Sequence, residues 1–409
     1  MPRARRHARA RRWPAVALAV IAVAGGGMLA FLAHERRATA GALASRATTA
    51  NEHHATRVTR PGGRRRAGHS SRRQPARAMP FAVASTSPRS GAIGVAARAA
   101  ISVTFSAPLA TSTPRPVLVP SVPGTWRVDN RTLTFDPSVP FVPLSQVTMT
   151  IPGGARGVRA RSGRTLTKAV VDNFTIENGS TLRLQQLLSM LDYSPLSWSP
   201  RGMAASNSDL GAQLAATYAP PAGSFAWRQR GWPTQLLSLW KPGVYNVFTR
   251  GLVMSFQADH GLIVSGKPSA GLWNDLLHAI ASGDVNTGGY NYAIGNKTAP
   301  ESLTIWHNGQ VVLHAAANTG IPQSPTPSGT FPVYARYRYY VMHGTNPNGV
   351  PYSDPVQYVA YFYDGDAVHY FPRADYGIPQ SLGCIELPLA QAAVAWPYLA
   401  YGTLVTVIN

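Results

Sequence analysis

Ser381-Leu382-Gly383-Cys384-Ile385-Glu386-Leu387-Pro388 contains the only cysteine of this 409-residue chain. One cysteine forms no internal disulfide. In an exported protein, where cysteines usually pair, a lone thiol reads as a nucleophile rather than a staple. The competing reading is a small buried hydrophobe, because free cysteine packs well in cores. The flanking residues favour the nucleophile: Gly383 allows close backbone approach, and the N–H groups of Gly383 and Cys384 are candidate oxyanion donors. A thiol of pKa near ~8.5 also needs a base or a cationic imidazole to become a thiolate. His369, in Asp366-Ala367-Val368-His369-Tyr370, lies 15 positions upstream at the end of a predicted strand. The Gly- and Pro-bearing loop from Phe371 to Gln380 can return the chain beside it. His343, in Met342-His343-Gly344-Thr345-Asn346-Pro347, is the rival base at 41 positions. His314, on a predicted strand, reads as structural.

Upstream, from about Asn291, the pattern is β: Ser302-Leu303-Thr304-Ile305-Trp306, a turn at His307-Asn308-Gly309, then Gln310-Val311-Val312-Leu313-His314. Asn-Gly between alternating runs signals a hairpin. Thr319-Gly320 and Thr326-Pro327-Ser328-Gly329-Thr330-Phe331 follow, and the strand Gly402-Thr403-Leu404-Val405-Thr406-Val407 closes the segment. Taken in order with His369 and the Ser-x-Gly-Cys loop, these phrases resemble the catalytic domain of bacterial L,D-transpeptidases over residues 291–409.

That resemblance implies the chemistry. Cys384 would attack the L-centre carbonyl of the third residue of a peptidoglycan tetrapeptide stem and release D-Ala. An amine of a neighbouring stem would resolve the thioester into a 3→3 cross-link, with His369 as base and then acid and Gly383 beside the oxyanion. The family's histidine is oriented by a backbone carbonyl just after it, here that of Tyr370. Its usual separation from the cysteine favours His369, while the phrase His-Gly-Thr favours His343; spacing decides for His369. Ser381, Leu382, Tyr370, His343 and Tyr352 are expected on the substrate side. Two positions depart from the family pattern: Leu382 stands where histidine is usual, and Glu386 where Arg or Asn is usual. Glu386 would read a different charge on the stem peptide or be a solvated residue. The alternatives are an L,D-carboxypeptidase, in which water resolves the acyl-enzyme, and a non-catalytic wall-binding scaffold. No cofactor is implied, and one cysteine with scattered histidines has no metal-ligand spacing.

Residues 181–283 read as helical. Leu184, Leu187, Leu188 and Leu191 follow the i, i+3, i+4, i+7 spacing. Phe256-Gln257, His260-Gly261-Leu262 and Trp273 resemble the three-helix peptidoglycan-binding domain, with residues 194–243 having no counterpart in it. The alternative is a helical packing domain with Phe256 and Trp273 in its core. Between 81 and 177, short alternating runs such as Ile101-Ser102-Val103-Thr104-Phe105 and Gln146-Val147-Thr148-Met149-Thr150-Ile151 alternate with Pro and Gly, which predicts a β-sandwich. With Ser87-Pro88, Val103-Thr104-Phe105-Ser106 and Phe174-Thr175-Ile176, they resemble bacterial immunoglobulin-like spacer modules. The fold class is therefore mainly β.

The formal charge of +21 is a property of the N-terminus. Residues 1–79 contain 17 Arg against Glu35 and Glu52, a balance of +15, while residues 290–409 contain 4 basic and 6 acidic residues, a balance of −2. No nucleic-acid module accompanies the basic tail, so nucleic acid is not an expected partner. Residues 13–33 form an uncharged stretch of 21 residues behind six arginines in the 1–12 tail. About 20 apolar residues span a bilayer, and positive charge stays inside, so a membrane anchor with everything after it outside is preferred. A cleaved signal peptide ending near Ala38-Thr39-Ala40 is the alternative. Residues 34–80, rich in Arg, Ala, Gly and Ser, read as a disordered linker.

Overall fold

The computed structural model describes residues 79–409. The basic tail, the apolar stretch and all but the end of the linker lie outside the described residues. Among the described residues no helix is long and apolar enough to cross a membrane.

The first lobe is a β-sandwich. One sheet orders the strands Val83–Ser87, Ile101–Phe105, Thr132–Pro137 and Gly124–Asp129; the other orders Ala92–Val95, Val170–Ile176, Gln146–Ile151 and Val117–Val119. Period-two alternation sends Ile101, Val103 and Phe105 from one sheet, and Val147, Met149 and Ile151 from the other, into one buried core. Each such side chain contributes ~1.5–3 kcal/mol on leaving water.

In the helical segment, Leu184, Leu187 and Leu188 are buried along the helix Thr181–Met190 and Leu191 is buried at its C-cap, as their spacing predicts. The helix Ala270–Ser282 starts where the Ser269 side chain accepts from Leu272 N–H and ends at Gly283 in left-handed conformation, φ 69°. Residues 194–243 form an antiparallel strand pair, Leu196–Pro200 with Gly223–Trp227, and two short helices, Leu210–Ala216 in the connection between the strands and Thr234–Leu239 after them. The segment does not close on itself. Phe256 and Trp273 share one continuous core with Tyr290, Tyr292, Ile294 and Leu404 of the following domain, so these helices pack on its first sheet.

That sheet orders Gln310–Ala316, Ser302–His307, Asn291–Asn296, Leu404–Ile408 and Gly329–Pro332. The predicted hairpin turn is present, with Asn308 and Gly309 at φ 47° and 79°, the positive pair that a type I′ turn requires. A second sheet orders Ala335–Thr345, Pro351–Tyr363, Asp366–Tyr370 and Ile385–Leu387. Val368, Ile385 and Leu387 of this sheet pack with Leu303, Ile305 and Val405 of the first. Its opposite face is left to form the site.

Candidate active site

Cys384 immediately precedes the strand Ile385–Leu387, which runs parallel to Asp366–Tyr370 with His369 opposite Glu386. Alternation along Asp366–Tyr370 turns Val368 into the core between the sheets and Ala367 and His369 to the other side. Cys384 packs on that side, where Ala367 N–H approaches its Sγ at 3.4 Å. Cys384 and His369 line one cavity of about 550 Å³ with Met342, Tyr352, Asp354 and Leu382. Asn346, Pro347 and Asn348, at the tip of the hairpin joining Ala335–Thr345 to Pro351–Tyr363, form part of its wall.

His369 is buried, and its Nδ1 lies 3.0 Å from the Tyr370 carbonyl. A carbonyl only accepts, so Nδ1 carries the proton and Nε2 keeps a free lone pair. Burial holds the imidazole below its ordinary pKa, against the opposing pull of the Tyr370 carbonyl and Glu386. Burial likewise pushes the Cys384 thiol up to about 12; Ala367 N–H works against this, while Asp366 and Glu386 add to it. The resting pair is therefore a neutral thiol and a neutral imidazole. A site closed on several sides disfavours the charged form of each group.

A hydrogen-bonded frame sets the nucleophile loop. Ser381 Oγ donates to the Cys384 carbonyl at 2.6 Å and accepts Gly383 N–H at 3.2 Å. Gly383 N–H is thus engaged, and of the two expected oxyanion donors only Cys384 N–H is without a partner among the described residues. Gly383 has φ +122°, and a Cβ there would sit 2.2 Å from Asp366 Oδ1, which is why this position takes glycine. Thr319 O accepts Ser381 N–H at 3.0 Å, and Glu301 fixes Thr319 through its N–H at 2.6 Å and hydroxyl at 2.7 Å. Leu382 faces the cavity, its carbonyl bonded by Ser324 Oγ at 2.9 Å.

Tyr352 and Leu382 thus line the cavity, but three residues expected on the substrate side do not. Ser381 is buried in the loop frame. The Tyr370 side chain packs on the core between the sheets, so this residue acts through its carbonyl. His343 is exposed on Ala335–Thr345; its neighbour Met342 faces the cavity, and in a strand adjacent residues face opposite ways. Glu386 is not a solvated residue. It is 4% exposed and takes a two-pronged ion pair from Arg373, Nε to Oε2 at 2.7 Å and Nη2 to Oε1 at 2.8 Å. Arg373 also donates to Gln380 O and stacks over Phe371. Sequence reading missed Arg373, Asp354 and Asn318. Asn318 is fully buried; its backbone pairs with Glu386 in both directions, and its side-chain oxygen accepts Gly377 N–H at 2.9 Å. An arginine in the loop between histidine and cysteine was the available signal for the ion pair, and nothing local marked the other two.

Residues 290–407 match the family model of the L,D-transpeptidase catalytic domain, and residues 77–176 match that of the bacterial Ig-like domain. The chain therefore carries an L,D-transpeptidase catalytic domain behind an Ig-like domain, and these matches leave the helical segment 181–283 uncovered. Among solved structures, an L,D-transpeptidase from Mycobacterium smegmatis is 14% identical over 81% of this chain and 100% of its own, with TM-score 0.27. L,D-transpeptidase 3 from Mycobacterium tuberculosis, in complex with a faropenem-derived adduct, is 15% identical over 80% and 98%, with TM-score 0.27. The catalytic domain of the E. faecium L,D-transpeptidase is 27% identical over 29% of this chain and 96% of its own, with TM-score 0.27. No curated protein sequence matches the chain.

Proposed function

We propose that this chain is a cysteine L,D-transpeptidase that joins peptidoglycan stem peptides by 3→3 cross-links through a thioester on Cys384. The observation that carries the reading is that the Cys384 thiol lines the same cavity as a buried imidazole whose Nδ1 proton is tied to the Tyr370 carbonyl. Nε2 of His369 takes the thiol proton as sulfur attacks, then returns it to the nitrogen of the departing D-Ala. Cys384 N–H is the free backbone donor for the oxyanion. In the second half-reaction the amine of another stem forms the C–N bond, the C–S bond breaks, and the amine proton returns through His369 to sulfur. Such a reaction lies outside the cytoplasm, which agrees with the arginine-flanked apolar stretch 13–33 read as a membrane anchor.

Intact-mass measurement after mixing the protein with a disaccharide-tetrapeptide tests the reading. The expected result is a tripeptide-acyl adduct on Cys384 with release of D-Ala, no adduct on Cys384→Ala, and a 3→3 dimer among the products. Adduct formation by the folded Cys384→Ala variant refutes the mechanism. Tripeptide without dimer replaces the transpeptidase with a carboxypeptidase, and a wild-type thiol left unmodified favours the scaffold.

A further inference from the structure

The ionisable groups of the catalytic cavity do not cancel. Glu386 is paired with Arg373, and the Cys384 thiol and the His369 imidazole are held neutral. Asp354 remains: half-buried on the strand Pro351–Tyr363, it has no hydrogen bond and no ion pair among the described residues. Tyr352, Asp354 and Val356 alternate onto one strand face, and all three line the cavity. Asp354 and His369 line the same cavity, where the carboxylate's charge favours the protonated imidazole. One uncompensated negative charge therefore stands near the group that moves protons on and off nitrogen.

We propose that Asp354 is the anchor for the incoming amine, the ammonium of a neighbouring stem's diamino-acid side chain, and that it sets the partition of the acyl-enzyme between cross-linking and hydrolysis. This rests on the reading of Cys384 as the acylated nucleophile. The amine that leaves in the first half-reaction and the one that attacks in the second pass through the same place beside His369, because the second step retraces the first. An alkyl amine is an ammonium at neutral pH, with a pKa near that of lysine, ~10.4. A carboxylate gathers such a group and gives water no comparable advantage. The anchored ammonium releases one proton to solvent; its lone pair forms the C–N bond; the C–S bond breaks with its electrons on Sγ; the second proton reaches sulfur through His369. The Tyr352 ring beside Asp354 suits the same cationic ligand.

The test uses the full chain carrying Asp354→Asn, a disaccharide-tetrapeptide as both donor and acceptor, and three readouts: the first-turnover burst of D-Ala, the ratio of dimer to tripeptide, and trapping of the acyl group by hydroxylamine, a nucleophile uncharged at neutral pH. The dimer-to-tripeptide ratio should fall about tenfold, the worth of one charge-assisted hydrogen bond, and by more than the burst falls. Hydroxylamine trapping should be unchanged, and Asp354→Glu should recover most of the ratio. An unchanged ratio overturns the proposal, as does a ratio lost only in step with the burst and with hydroxylamine trapping. A wild-type protein that releases no D-Ala removes the nucleophile reading, and this assignment with it.

Discussion

Removing the guanidinium from the Arg373–Glu386 pair tests how this site tolerates buried charge. In Arg373→Met, Glu386 keeps its burial, 4% exposed, but loses both N–H donors at 2.7 and 2.8 Å. Breaking such a pair by removing one partner costs ~3–5 kcal/mol when both ions are buried; the arginine side chain is 27% exposed, so the lower end applies. Proton uptake caps the cost. Forcing a proton onto a carboxyl of ordinary pKa ~4.3 costs ~1.36 kcal/mol per pH unit above it, or ~3.7 kcal/mol at pH 7 and ~1 kcal/mol at pH 5. Urea denaturation of the full chain should show a loss of ~2–4 kcal/mol at pH 7 and ~1 kcal/mol at pH 5. The double variant Arg373→Met, Glu386→Gln should return to within ~1 kcal/mol of wild type at both pH values, since an uncharged pair of similar volume is often nearly neutral. A deficit equal at pH 5 and pH 7, and unrelieved in the double variant, would refute the electrostatic account and assign the cost to lost packing on Phe371.

His369→Ala should slow acylation by ~10²–10⁴, the worth of a positioned general base, whereas His343→Ala, with its ring facing solvent, should change the rate less than ~3-fold; the reverse order would overturn the assignment of the base. Because His369 must be neutral to accept a proton and burial holds its pKa down, the acid limb of kcat/KM should fall below pH 6.5, and a limb at or above 6.5 would contradict the buried imidazole. Without substrate, Cys384 should react slowly with iodoacetamide at pH 7, faster with each pH unit, and reach no plateau below pH 10, as a thiol pushed up to about 12 requires. Gly383→Ala places a Cβ against Asp366 at a positive φ and should cost ~1–3 kcal/mol of stability with ~10²-fold lower acylation, read by denaturation and by adduct formation.

Local chemistry in the chain was enough to place the strands and turns. Asn308-Gly309 forms the positive-φ turn between Ser302–His307 and Gln310–Ala316, and alternation buries Val103 and Val147 in the sandwich. These signals live within a few residues, where backbone sterics and side-chain period act directly. The Ser381–Pro388 stretch likewise marked its own candidate nucleophile, since a sole cysteine beside a glycine needs no partner to be noticed. What the side chains of the site do depended on contacts far apart in the chain. Asn318 reaches Gly377 across 59 positions, Thr319 reaches Glu301 across 18, and Arg373 reaches Glu386 across 13. Burial, which raises the thiol, lowers the imidazole and turns Glu386 from a solvated charge into a buried ion-pair partner, exists only once the second sheet and the loops carrying Ile321, Asn346 and Leu382 come together around the site. The face that His343 and Tyr370 present was decided the same way: a strand's period is legible in sequence, but which of its two faces meets the cavity is chosen by the apolar residues it must hide.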